Sequence, residues 1–164
     1  MNMILDSGNR TEFETGAVRD VQEGKGRCDL MPLMVVAELL DSEVILEIAK
    51  FKEFRDVKYL YHCLDSFQET YDDFDTLEEM ILDVAKHFEQ GAKKYGENNW
   101  QKGIPLHSYI DSAIRHYLKF RAEIEDEPHG RAFVWNILCA IWTKENKPEL
   151  DDFTDRKEDK NASN

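Results

Sequence analysis

From Leu33 onward the apolar residues of this chain recur at steps of three and four, and the spacing persists almost to Lys144. Leu33, Val36, Leu40, Val44, Ile48 and Phe51 open the series. That period puts apolar side chains on one stripe of an α-helix, and such a stripe has to be buried against another element. No stretch alternates convincingly in the period of two that a half-buried strand needs. The expectation is an all-α fold, with four to five helices packed as a bundle over 33–145. A chain of 164 residues has room for one such domain.

The punctuation divides the bundle. Pro32 suits the first turn of a helix, and a second run carries Val57, Leu60, Leu64 and Phe67. After an acidic loop over 71–75, Thr76 and Glu79 fit a capping box, and Gly96 ends the helix that follows. The polar loop GENNWQKGIPLH leads to Ser108 and Asp111, which read as a second capping pair. A break over 125–128 precedes a last helix at about 129–144. Residues 1–32 hold half of the eight glycines and no sustained period, so they read as an irregular arm. From 146 to 164 the chain is charged and nearly free of aliphatics, as a disordered tail is.

Charge narrows the function. There are 21 Lys and Arg against 34 Asp and Glu, a net −13. This balance argues against non-specific nucleic-acid binding and against a polybasic membrane anchor. It does not exclude a small anion held by a local basic cluster or by a divalent cation. Cys28, Cys63 and Cys139 are odd in number and form no CxxC pair, which fits reduced thiols in the cytoplasm. No apolar run is long enough for a signal peptide or a membrane span.

Three places carry polar groups that a bundle does not need. In the arm, Arg19, Lys25 and Arg27 cluster, with Gly24 and Gly26 flanking the lysine. Backbone amides and cations of this kind suit a phosphate, although the spacing is not that of a Walker loop. The other reading is a basic arm pairing with acidic helices. In GAKKYGENNW, Tyr95 and Trp100 offer flat faces, and Asn98 and Asn99 offer donors and acceptors. Lys93 and Lys94 also simply complement the helix dipole there, and Trp100 could equally plug the core. The third set is Asp111, Arg115 and His116, then Glu123 and Asp126, then His129 and Asn136. Ser112, His116, Lys119 and Glu123 share one helix face, and His129 and Asn136 share another. Brought together, they supply imidazole, carboxylate and amide groups for a divalent metal; apart, each is an ordinary structural residue. Glu89 precedes Lys93 by four residues and is either a surface partner or a metal ligand.

Taken in order, the segments TGAVRD and GKGRCDLMP, HFEQGAKKYGENNWQKG, DSAIRH and EPHGRAFVWN resemble the N-terminal domain of phage and bacterial dATP/dGTP diphosphohydrolases. Those proteins are in turn similar to the all-α, MazG-like nucleoside triphosphate pyrophosphohydrolases. The resemblance covers about 15–32 and 84–136, and 35–76 carries no family motif. It implies hydrolysis of a purine deoxynucleoside triphosphate to monophosphate and pyrophosphate with Mg²⁺ or Mn²⁺, in the host cytoplasm for a phage protein. It also implies phosphate contacts from Arg19, Lys25 and Arg27, and a nucleotide framed by Lys94, Tyr95, Asn99 and Trp100. Arg115, His116, Asp126 and His129 would belong to the catalytic centre, and Asn136 would join them on the substrate. Glu89, Glu123 and Asp126 would hold the metal. The paired ExxE and ExxD helices of MazG-like enzymes are not matched, since only Glu123 and Asp126 have that spacing, beside Pro128.

Two other functions fit the residues: a protein that binds a purine nucleotide without turnover, and a helical interaction module. Apolar residues in excess on 33–54 and 57–68 lead to the expectation of a homodimer or homotetramer.

Overall fold

The computed structural model describes residues 5–153. Six α-helices follow a short hairpin: β1 (Arg10–Glu12), β2 (Val18–Asp20), α1 (Leu33–Leu40), α2 (Glu43–Phe54), α3 (Lys58–Thr70), α4 (Leu77–Tyr95), α5 (Leu106–Arg121) and α6 (His129–Asn146). The fold is the all-α bundle that the apolar period implies. Among the described residues no helix is long and apolar enough to cross a membrane.

The sixth helix arises because the stretch read as one helix over 33–54 is two. Asp41 adopts a left-handed conformation (φ 48°) and ends α1. Ser42 then caps α2, its Oγ accepting from the Ile45 amide at 3.1 Å. The apolar spacing runs through this break, so periodicity alone does not reveal it. At α4 the Thr76–Glu79 cap forms as expected, and only the reciprocal bond is displaced by one residue. Thr76 accepts from the Glu79 amide at 3.2 Å, and the Glu79 carboxylate accepts from Asp75 at 3.0 Å. The second capping pair is not a cap. α5 begins at Leu106, behind Pro105, and Ser108 and Asp111 lie buried within it.

α5 packs along α6 and α4 also packs on α6, while α2 joins α1 to α3. Phe67 of α3 meets Phe133 of α6 at 4.7 Å between ring centroids and Phe120 of α5 at 5.2 Å. Full burial of an aromatic such as Phe67 stabilises by about 1.5–3 kcal/mol. Cys63 and Cys139 are buried thiols, and Cys28 is half-buried.

The arm is more regular than its composition indicates. β1 and β2 pair antiparallel, with Thr11 opposite Arg19, and Gly16 turns the hairpin at φ 86°. Thr15 donates to the carbonyl of Gly103, clamping the hairpin to the loop before α5. Gly103 sits at φ 117°, a conformation L side chains rarely adopt, and a Cβ there would also crowd Leu150 Cδ1 at 2.7 Å. At the other end, 146–153 belong to the bundle rather than to a tail. Asp151 is buried and ion-paired with Lys144 at 2.8 Å, and Arg55 lies over the Phe153 ring at 4.9 Å. The rest of the tail read from the sequence, 154–164, and the first four residues of the arm lie outside the described residues.

Candidate active site

β2, the C-terminal half of α4, the loop that follows it, α5 and α6 surround a cavity of about 490 Å³. Two strips of polar residues and one aromatic wall meet there. Of the residues singled out from the sequence, Arg19 and Lys25 reach it from the arm, and Tyr95, Asn99 and Trp100 from α4 and its loop. Arg115, His116 and Asn136 reach it from α5 and α6.

Arg19 lies deep in this space. Its Nη2 donates to Ser112 Oγ at 3.2 Å and to Asn136 Oδ1 at 3.1 Å. Its guanidinium carbon is 5.4 Å from the centre of the Tyr109 ring and 5.7 Å from that of Trp135. Nη1 is buried without a partner. Desolvation pulls the pKa of this arginine down, and the tyrosine opposes it. Arginine nevertheless remains charged in proteins, so a cation with an unused donor stands in the cavity. Gln22 donates to the same Ser112 hydroxyl at 2.7 Å and helps fix it.

Arg115 is held on two sides, donating to Asp111 Oδ2 at 2.6 Å and to the Gly26 carbonyl at 2.7 Å. Asp111 is fully buried and also accepts from the Cys28 amide at 2.7 Å, tying the arm to α5. Nε of Arg115 has no partner.

Beside Arg115, two imidazoles face each other, with Nδ1 of His116 and Nδ1 of His129 2.9 Å apart. Oε1 of Glu127 is 3.5 Å from the first and 3.6 Å from the second. The other oxygen of Glu127 accepts from the Leu5 amide at 3.0 Å. Nε2 of His129 is 2.6 Å from Asp126 Oδ1. Burial, reinforced by His129, pushes the His116 pKa well below its usual value, so the ring is neutral. The hydrogen bond to His129 holds the Asp126 carboxyl below its ordinary range. Three ligand atoms about 2.1 Å from one ion, at tetrahedral to octahedral angles, stand about 3.0–3.4 Å apart. His116, Glu127 and His129 come close to that spacing and fit one divalent ion.

The aromatic wall is part of the core. Trp100 meets Trp142 edge-on at 5.0 Å and Phe88 at 5.7 Å. Arg10 covers the Tyr95 ring at 5.0 Å. Both amide atoms of Asn99 are bonded to Val18.

Other expected residues lie apart from the cavity. Arg27 makes a two-pronged pair with buried Asp29 at 2.8 Å and borders a separate small cleft with His107 and Asp152. Lys94 bonds to the Leu5 carbonyl at 3.2 Å and pairs with Asp6 at 3.3 Å, behind residues that line the space. Glu89 is exposed and faces Lys93 at 3.5 Å. Glu123 is exposed beyond the end of α5, and Asp126 touches His129 rather than the cavity.

Glu127 and His87 were not singled out as site residues from the sequence. Glu127 is brought to His129 by an inverse γ-turn at Pro128 (φ −76°, ψ 77°), in which the His129 amide donates to the Glu127 carbonyl at 2.9 Å. The Glu-Pro-His order is the signal that could have found it. His87, on α4, is only 8% exposed. Its Nδ1 is buried without a partner, and desolvation pushes its pKa down to about 3.

No curated protein and no solved structure matches the chain. A family model described as dATP/dGTP diphosphohydrolase, N-terminal, matches 71–153, from the end of α3 to the last described residue. The match spans half of the chain and includes α4, α5 and α6, which with the segments between them carry most of the cavity, and the chain therefore belongs to this family of nucleotide hydrolases.

Proposed function

We propose that this protein hydrolyses a purine deoxynucleoside triphosphate, dATP or dGTP, to the monophosphate and pyrophosphate with the help of a divalent ion. One observation carries the reading. A single cavity of about 490 Å³ is lined at once by aromatic side chains (Phe88, Tyr95, Trp100) and by cations (Arg19, Arg115, Lys119). Its volume is within the range of small-molecule sites, roughly 300–1,000 Å³. In a chain of net charge −13, cations gathered on one hollow favour an anion there.

The division of labour follows from the partners. His116, Glu127 and His129 would hold the ion, which would offset triphosphate charge and activate water. Arg115 is fixed by Asp111 and Gly26 before any ligand arrives, so its charge needs no reorganisation as pyrophosphate departs. Arg19 offers Nη1 to a phosphate oxygen from the floor of the cavity. Lys25, paired with Asp20 at 3.0 Å and more exposed, adds charge toward solvent. The Tyr95 and Trp100 rings, which line the cavity, suit a purine.

The test is incubation of the purified protein with each of the four deoxynucleoside triphosphates in Mg²⁺ and in Mn²⁺, with the products resolved. The purine substrates should yield monophosphate and pyrophosphate in equal amounts; no product from any nucleotide rejects the reading. A second reading, binding without turnover, is favoured by one observation. Glu89 and Glu123 face away, which leaves Glu127 as the one carboxylate beside both histidines among the described residues. Tight binding with full recovery of intact nucleotide would establish it.

A further inference from the structure

We propose that the metal centre of this protein is a two-histidine, one-carboxylate site, His116–Glu127–His129, which binds a nitrogen-preferring first-row ion in preference to Mg²⁺ and does so before any nucleotide arrives. Asp126 is its positioning residue. The inference deepens the hydrolase reading by naming the ion class, and its location in the cavity rests on that reading.

The donor set is the first argument. Two imidazole nitrogens and one carboxylate oxygen converge at 2.9, 3.5 and 3.6 Å from one another. Mg²⁺ takes oxygen ligands and keeps much of its water, whereas imidazole suits first-row ions from Mn²⁺ to Zn²⁺, with Mn²⁺ the weakest of them. A site whose donors are two-thirds nitrogen therefore discriminates by ligand chemistry alone. The expectation of Glu89 and Glu123 as ligands would have made a carboxylate site suited to Mg²⁺, but Glu89 faces Lys93 and Glu123 lies exposed past α5.

The second argument is that two of the three donors are aimed by something else. Asp126 at 2.6 Å from Nε2 of His129 keeps the proton on that nitrogen and leaves the Nδ1 lone pair facing His116. A carboxylate behind a ligating histidine is the usual outer partner of a metal site. The Leu5 amide occupies Oε2 of Glu127 at 3.0 Å, so Oε1 is the oxygen turned to the histidines. His129 is almost fully buried and is fixed at the first position of α6, directly after the turn at Pro128. With two donors oriented this way and His116 already 2.9 Å from His129, the site needs little rearrangement to take an ion, which is why nucleotide is not required.

The experiment uses the full chain without nucleotide. Zn²⁺, Co²⁺, Mn²⁺ and Mg²⁺ are each titrated by calorimetry as the metal alone, and crystals soaked in Mn²⁺ or Zn²⁺ are examined for anomalous scattering. The expected result is one ion per chain, with affinity falling from Zn²⁺ through Co²⁺ to Mn²⁺, Mg²⁺ at least 100-fold weaker than Mn²⁺, and an anomalous peak between the three donors. Glu127→Gln and His116→Gln should each weaken binding at least 10-fold. Asp126 is exposed, so Asp126→Ala should leave the metal-free melting curve in place while weakening the ion 10–100-fold, and Asp126→Glu should restore most of it. Mg²⁺ competing on equal terms, a peak elsewhere, or unchanged affinity in the variants overturns the proposal. These outcomes are separable from turnover: hydrolysis with no ion at these donors rejects this centre alone, and an ion bound there without hydrolysis sustains the centre while rejecting the enzyme.

Discussion

Asn99 grips Val18 by both ends of its amide, Oδ1 accepting from the Val18 nitrogen at 2.8 Å and Nδ2 donating to the Val18 carbonyl at 2.7 Å. The side chain does for β2 what a neighbouring strand would do, and it does so from a loop that is 81 residues away in sequence. Its polar atoms are therefore spent on holding the arm, although its residue borders the cavity. Asn99→Ala should destabilise the protein by about 1–3 kcal/mol, because two inward backbone groups lose their partner. Hydrogen exchange at the Val18 amide should accelerate, and nucleotide affinity should fall because Arg19 is the next residue on that strand. Urea denaturation and exchange measurements check this. Loss of affinity with stability and exchange unchanged would mean that Asn99 touches the nucleotide itself.

Arg19 is a half-buried cation whose enclosed Nη1 has no protein partner, so its removal should separate function from folding. In Arg19→Met the loss of two hydrogen bonds, to Ser112 and Asn136, is offset by relief of a desolvated charge. The expected change in unfolding free energy is within about 1 kcal/mol, while kcat/KM falls at least ~100-fold, or about 2.7 kcal/mol of transition-state stabilisation. Arg19→Lys should recover little, since an ammonium cannot span both partners in the plane. A large drop in Tm with ordinary kcat/KM would make Arg19 structural.

How far the residues betray this arrangement depends on how local its causes are. The period of three and four specifies α3, α4, α5 and α6 because side-chain spacing along one helix decides which face is buried. It misses the Asp41–Ser42 break because the apolar series continues across it. His116 and Asn136 could be placed at the site because helical faces are computable from numbering. Glu127 could not be placed so, because a single turn about Pro128 sets its direction. Arg27 was misplaced for a similar reason: Asp29, two residues on, captures it before any ligand could. The hairpin was hidden by its shortness, three residues a strand, with glycine at its turn.

Glu123 provides a test of the metal assignment that does not disturb the centre. It occupies the glycine position of a Schellman motif, with φ 57°, its own amide bonded to Phe120 at 3.1 Å and that of Ile124 to Lys119 at 3.0 Å. A side chain in that conformation costs about 1–2 kcal/mol, so Glu123→Gly should raise stability by up to ~1 kcal/mol. Turnover and metal affinity should stay within twofold of the parent, and the same holds for Glu89→Gln. A metal ligand at either position would show itself as a loss in both assays.

His87 makes the acid side of the stability curve specific. Its pKa is pushed from 6.5 to about 3, chiefly by desolvation, with Arg131, Arg19 and Lys94 adding to the effect and Asp83 opposing it. The Trp135 ring lies 5.4 Å away, and Nδ1 has no partner that a proton could serve. Between those two values the unfolded chain binds a proton that the folded chain refuses, so stability falls as pH drops through this window. For one such group the loss between pH 7 and pH 5 is about 2 kcal/mol. In His87→Leu that contribution disappears: the variant should match or exceed the parent at pH 7 and be less acid-sensitive by about 2 kcal/mol at pH 5. Denaturant titrations at the two pH values read this directly. Parallel pH profiles for parent and variant would mean that the imidazole takes up its proton in the folded state, by drawing an acidic partner or water into the cavity.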